Sequence, residues 1–337
     1  MVIPGFSAAL TDLKISRQVC SIYLLKREDM TILSLVVNAL SPMCKRVLIT
    51  DFSGAVREEE ILPEGLLNSL KATLQITTLN GSRKIEAELL DFRELEGTRC
   101  YCDPAAEEEI VRRLAPFRYG AEKWREFPIH FIDTGEYHYV SKFFVDAIDV
   151  PFTLLVFDNH TDMQEPAFGE GLLSCGSWLA EVMRSSKALQ NILLAGPDGR
   201  ITLYKRVSDG KGFAQSSCDE LSVEGIKNIC DKTSIDNLYI SIDKDVMSPK
   251  DYYTNWSQGG LGLEELEAMV FAAMRSSFGG DGAAGTVANG PAADGLLGID
   301  ICGGLSSAQP ALTCDLAQNR RTDLALLSAL LTKVPLF

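Results

Sequence analysis

The chain has 337 residues, 46% of them hydrophobic and 23% charged, the proportions of a folded globular protein and not of a disordered or fibrous chain. Its formal net charge of −14 opposes binding along a polyanion, so nucleic acid is not an expected partner, whereas a small cationic substrate would be favoured by that field. Nine cysteines are scattered without a secretory leader before them, and no apolar stretch reaches the 18 residues of a spanning helix, which points to a reducing, cytoplasmic setting and no membrane partner.

In chain order, short apolar runs at 46–51, 127–133, 152–157, 192–195, 238–242 and 296–300 read as strands, separated by segments of helical periodicity. Nearly continuous apolar strands alternating with helices predict an α/β fold, three layers α/β/α around a mostly parallel central sheet. Asp103-Pro104 followed by Glu107, Glu108 and Glu109 is a helix start, with a capping side chain, a proline in the first turn and acids near the positive end. No linker or repeat divides the chain, so a single domain over 1–337 is expected, with 1–125 its least readable part. Gly280 to Gly285 matches GxGxxG formally, but it follows a helical pattern (263–275) and leads towards a strand, the reverse of a dinucleotide loop.

Three strand ends carry the chemistry. Asp158-Asn159-His160-Thr161-Asp162 follows the run 152–157; if it stays extended, Asp158, His160 and Asp162 project to one side. Ser241-Ile242-Asp243-Lys244-Asp245 places two carboxylates together, costly without a neutralising cation. Gly135-Glu136-Tyr137-His138 adds a second imidazole after 127–133. Ligands of open parallel sheets bind beyond the carboxyl ends of the strands, so the three segments can share one crevice. Four carboxylates and two imidazoles without thiolate suit two Mn²⁺ ions, with Fe, Co or Ni left open. Of the three histidines in the chain, His130 sits inside an apolar run and reads as core. Cys100-Tyr101-Cys102 lacks a second pair for a zinc knuckle and receives no role. Cys175 and Cys302 read as buried small apolar residues.

On these motifs the sequence resembles the ureohydrolase superfamily of arginase, agmatinase, guanidinobutyrase and formimidoylglutamase. The resemblance runs over about 127–331, through Gly259-Gly260-Leu261 with Glu264 or Glu265, Gly298-Ile299-Asp300-Ile301, and Asn319-Arg320-Arg321-Thr322 before an apolar helix. It implies an arginase-like fold and a binuclear hydrolase, expected to use Mn²⁺, of a non-peptide C–N bond in a small guanidine or amidine. It also implies metal ligands His138, Asp158, His160, Asp162, Asp243 and Asp245, with Asp158 and Asp243 as bridges and Asp162 relaying a proton to the leaving amine. Cys175, Ser177 and Trp256 would meet the substrate, and by analogy with trimeric or hexameric relatives a homo-oligomer is expected.

The departures bear on substrate. The loop His of arginase-like members falls in Ser174–Trp178, which has none; the late-strand Glu falls on Gly303; Tyr137 replaces the turn Asp; and the usual Asp-Pro is represented by an offset Ser248-Pro249. Arginine and agmatine are therefore disfavoured. The alternatives are a metal-dependent amidohydrolase or deacetylase of the same fold, which the lack of a His-His pair disfavours, or a non-catalytic metal-binding family member.

Overall fold

A computed structural model describes residues 46–59, 71–78, 81–165, 172–208, 210, 212–233, 235–277, 295–305 and 313–333. All of them belong to the unit Lys45–Phe337. The part of the single-domain expectation that covers residues 1–45, and the glycine-rich segment 280–285, lie outside the described residues.

The strands are β1 (Arg46–Asp51), β2 (Lys71–Thr78), β3 (Gly81–Asp91), β4 (Tyr101–Cys102), β5 (Ile129–Phe131), β6 (Phe152–Phe157), β7 (Leu173–Ser174), β8 (Leu189–Ala195), β9 (Arg200–Arg206), β10 (Phe213–Glu220), β11 (Leu238–Asp243) and β12 (Leu296–Cys302). Ten form one sheet in the order β10-β9-β8-β6-β11-β12-β5-β1-β3-β2. From β8 to β3 every neighbouring pair is parallel; β9, β10 and β2 add antiparallel edges. The expected mostly parallel sheet is present, with antiparallel borders that the apolar runs do not reveal.

Helices α1 (Ala55–Glu58), α2 (Pro104–Leu114), α3 (Val140–Val145), α4 (Trp178–Ser185), α5 (Val223–Asp231), α6 (Leu263–Ser277) and α7 (Thr313–Lys333) connect the strands. Alternate strand residues enter two separate cores. Leu155, Phe157, Ile240 and Ile242 pack with Ile226 and Ile229 of α5, Leu266 and Met269 of α6, and Leu326 and Leu330 of α7. Leu154, Val156 and Tyr239 pack with Ile110 of α2, Phe143 of α3 and Leu179 of α4. A period of two in the strands thus requires apolar helices on both faces. The start of α2 is capped as the sequence predicts: Ala106 N donates to Asp103 Oδ1 at 2.8 Å. Residues Asn319–Thr322 lie inside α7 and not ahead of it.

His130 is buried in β5 and stacks on Phe144 at 3.9 Å, as expected of a core residue. Burial pushes its pKa down to about 3. Its unfolded-state value is near ~6.5, so the native state binds fewer protons between these limits. Stability is therefore full above the unfolded value and is lost as pH falls through the window towards the folded one. Relative to wild type, His130→Phe should gain about 2 kcal/mol between pH 7 and pH 5, read from urea midpoints. A difference that does not change with pH would refute this.

Candidate metal centre

The strand order puts β6, β11, β12 and β5 side by side, all parallel, so their carboxyl ends open on one crevice. Asp158 follows β6, Asp243 ends β11, Cys302 ends β12, and a single 3₁₀ turn after β5 (Gly135–Tyr137) delivers His138. The six residues singled out as ligands converge there, although residues 158–162 are not extended. The chain bends after Asp158, and Asp162 takes a left-handed φ of 49°. Asp158 consequently lies between the two imidazoles, with Asp162 on the His138 side and Asp245 on the His160 side. Gly196 permits this packing: a Cβ there would stand 1.9 Å from the Asp158 carbonyl oxygen.

Around His138 Nδ1 stand Asp162 Oδ2 at 3.0 Å, Asp158 Oδ2 at 3.2 Å and Asp243 Oδ2 at 3.5 Å. Both His138 Nδ1 and Asp158 Oδ2 are buried without a hydrogen-bond partner among the described residues. Buried polar atoms are ordinarily paired, so two orphans among acceptor oxygens mark a place for a cation. On the other side, His160 Nδ1 lies 2.8 Å from Asp245 Oδ2 and 3.5 Å from Asp158 Oδ1. Two overlapping donor sets, His138/Asp158/Asp162 and Asp158/His160/Asp245, share Asp158.

The electrostatics agree with this geometry. Burial, and then the charge of Asp245, push Asp243 up to about 7, while Asp158 and Asp245 push His160 up to about 10. The crevice concentrates more negative charge than its own protons comfortably neutralise, which divalent ions would offset.

Hydrogen bonds behind the candidate ligands fix their orientation. His138 Nε2 lies 3.0 Å from Ser241 Oγ, and Ser241 donates to Asp300 Oδ1 at 2.6 Å. That chain keeps the proton on Nε2 and leaves the Nδ1 lone pair facing the crevice. It arises from register, since Ser241 on β11 is paired with Asp300 on β12. His160 Nε2 is held in the same way at 2.8 Å by Ser257 Oγ. Trp178 Nε1 donates to Asp162 Oδ2 at 2.7 Å, and α4 begins on the Asp162 carbonyl through Leu179 N at 3.1 Å. Trp178→Phe keeps the packing and removes that donor, so metal affinity should fall about 10- to 100-fold. Calorimetric titration with Mn²⁺ would measure it; an unchanged affinity would show that Trp178 only packs.

The crevice continues as a pocket of about 280 Å³ whose wall includes Asp162, Gln164, Cys175 and Trp256. Cys175 and Trp256, two of the three residues expected to meet a substrate, line this pocket. Ser177 does not: it is fully buried, its hydroxyl accepts from Ser174 N at 3.1 Å, and Ser174 lines the pocket instead. Cys100 and Tyr101, given no role on sequence grounds, also line it, carried there by pairing of β4 with β7. Gly303 has φ 91°, and a Cβ would come within 2.4 Å of Asp243 Oδ1, so no glutamate fits at that position without displacing a ligand.

Residues 130–278 match the family model described as the arginase family. An uncharacterized protein of Thermotoga maritima is 25% identical over 283 residues, covering 84% of this chain and 88% of that protein. The formimidoylglutamase structure from Bacillus subtilis aligns with a TM-score of 0.51 at 13% identity, covering 87% of this chain and 88% of that one. An arginase structure from Bacillus subtilis aligns with a TM-score of 0.47 at 12% identity, covering 86% and 98%. The matched segment contains the three stretches that bear the candidate ligands, and the mostly parallel sheet with its flanking helices is arginase-like, so over residues 130–278 this chain is similar to the arginase family.

Proposed function

We propose that the crevice is the active site of a binuclear hydrolase, expected to use Mn²⁺, that cleaves a non-peptide C–N bond in a small guanidino or amidino compound. The observation that carries this reading is the unpartnered pair His138 Nδ1 and Asp158 Oδ2, buried among carboxylates from three strand ends. His138, Asp158, Asp162 and Asp243 would hold one ion, and Asp158, His160, Asp243 and Asp245 the other. When bound, such ions supply Lewis acidity towards water and substrate.

The chain's own groups do the rest. Asp162 stands at the pocket wall with Oδ2 fixed by Trp178, placed to take a proton from water and hand it to the leaving nitrogen. Trp256, with its ring 5.9 Å from that of His160, closes one side with an apolar surface. Acidic walls favour a cationic amidinium or guanidinium group. Because Gly303 presents no carboxylate, the far end of the substrate must differ from that of arginine or agmatine, and Gln164 and Cys175 are the groups placed to meet it.

A panel of guanidines, amidines and formimino compounds, offered to the Mn²⁺-loaded protein and followed for urea, ammonia or formamide, tests the proposal. Turnover of one member, abolished in Asp162→Asn at metal concentrations that saturate both positions, is the expected result. Acetate release from acetylated amines with a single bound zinc would overturn it in favour of the deacetylase alternative; two bound ions without any turnover would favour a non-catalytic role.

A further inference from the structure

The donor set at the His138 position is not limited to nitrogen and oxygen. Cys302 ends β12 in register with Asp243 of β11, so both side chains reach the same side of the sheet end. Its thiol is fully buried and donates to Asp243 Oδ2 at 3.1 Å. Donor atoms of His138, Asp243 and Cys302 lie within 4.8 Å of one another, as compact a group as either all-N/O set. On the His138 side Nδ1 lies 3.5 Å from Asp243 Oδ2, and this buried nitrogen has no hydrogen bond among the described residues. Gly303 follows with a left-handed φ of 91°, and a Cβ there would come within 2.4 Å of Asp243 Oδ1, so the chain turns directly beside the carboxylate that the thiol meets.

Resting on the two-ion reading above, we propose that Cys302 is a thiolate ligand of the ion held by His138, making the centre asymmetric. One position is then N/O/S and the other, at Asp158, His160 and Asp245, is N/O only. The cation takes the place of the thiol proton now directed at Asp243, and that proton leaves to solvent. A thiolate favours Zn²⁺, Co²⁺ or Fe²⁺ over Mn²⁺, while the carboxylate-rich position remains suited to Mn²⁺. The centre is therefore built for a mixed pair, with the softer ion on the His138 side.

Cobalt substitution reads this directly, because a thiolate bound to Co²⁺ gives a near-ultraviolet charge-transfer band that nitrogen and oxygen ligands do not. The full-length protein is titrated with Co²⁺, with bound metal measured by elemental analysis, in wild type, Cys302→Ser and Cys302→Ala, and in Cys100→Ser and Cys175→Ser as controls for the other pocket thiols. In wild type, the band should grow with one of two equivalents. It should be absent from both Cys302 variants while they still bind cobalt, and present in both controls. The preference for Zn²⁺ over Mn²⁺ at one position should also fall at least about tenfold in Cys302→Ser. Two cobalt ions bound in wild type without the band, or a band that persists in the Cys302 variants, would overturn the thiolate ligand and leave the two-ion reading intact. No cobalt bound by wild type would overturn both.

Discussion

Asp158→Asn should strip the crevice of both ions at once while leaving the metal-free protein folded. Asp158 belongs to both three-residue N/O donor sets and, with Asp243, to both ions of the proposed centre, with Oδ2 towards His138 and Oδ1 towards His160. An amide keeps one acceptor for His160 N, which now donates to Asp158 Oδ1 at 2.6 Å, and its NH₂ can donate to the orphaned Nδ1 of His138. The substitution also removes one negative charge from a buried acidic cluster, so the metal-free form should be no less stable than wild type. Metal binding, by contrast, loses a shared charged ligand. Wild type should be stabilised by added metal in proportion to the logarithm of its concentration, and the variant should show no such shift. Activity should fall about a thousandfold, equivalent to ~4 kcal/mol of barrier and within the several kcal/mol ascribed to charge stabilisation by an ion. Thermal melts with and without Mn²⁺, alongside metal analysis, check both halves. A variant that keeps two ions would remove Asp158 from the centre.

The ligands are legible in the sequence because each is local to an apolar run: Asp158 directly follows β6, and Asp243 and Asp245 sit at and just beyond the end of β11. Adjacency of those runs in a parallel sheet then makes one crevice of three distant segments. What supports the ligands is not local. Trp178 reaches Asp162 from 16 positions away, and the pairings of Ser241 with Asp300 and of Asp243 with Cys302 depend on strand register, which no apolar pattern states. The edge strands were hidden for a different reason. β10 borders the sheet and β9 lies next to it, and both are rich in charged and polar residues, so a search for apolar runs passes over them. Turn chemistry offered the missing signal. Pro197-Asp198-Gly199 separates β8 from β9, and Asn80-Gly81 stands at the β2–β3 junction in the sequence, both marks of antiparallel reversal.

Lys244→Met should be among the most destabilising single changes in the protein, about 3–5 kcal/mol, although it touches no proposed ligand side chain. Lys244 stands between Asp243 and Asp245 but points to the opposite side of the sheet end, towards α7. There it is fully buried, with Nζ 2.8 Å from Asp323 Oδ1, donating also to the Tyr252 hydroxyl and standing 4.2 Å over that ring. Tyr252 in turn donates to Glu59 Oε1 at 2.9 Å, an oxygen that also accepts from Asn319 Nδ2 at 2.9 Å and from Leu305 N at 2.9 Å. Two buried carboxylates thus depend on one ammonium, and burial already pushes Asp323 up to about 7. Removing the cation leaves uncompensated charge in an apolar setting, whereas Lys244→Met with Asp323→Leu removes the directly paired carboxylate as well and should recover part of the loss, Glu59 keeping its donors from Tyr252, Asn319 and Leu305. The same anchor fixes the backbone from which Asp243 and Asp245 project, so the single variant should also bind Mn²⁺ about 10- to 100-fold more weakly. Urea unfolding of the two singles and the double gives the coupling energy, and calorimetry gives the metal affinity. A single variant within about 1 kcal/mol of wild type would show that the ion pair is dispensable. A large stability loss with unchanged metal affinity would instead confine Lys244 to the core and separate the stability of the sheet end from the geometry of the ligands it carries.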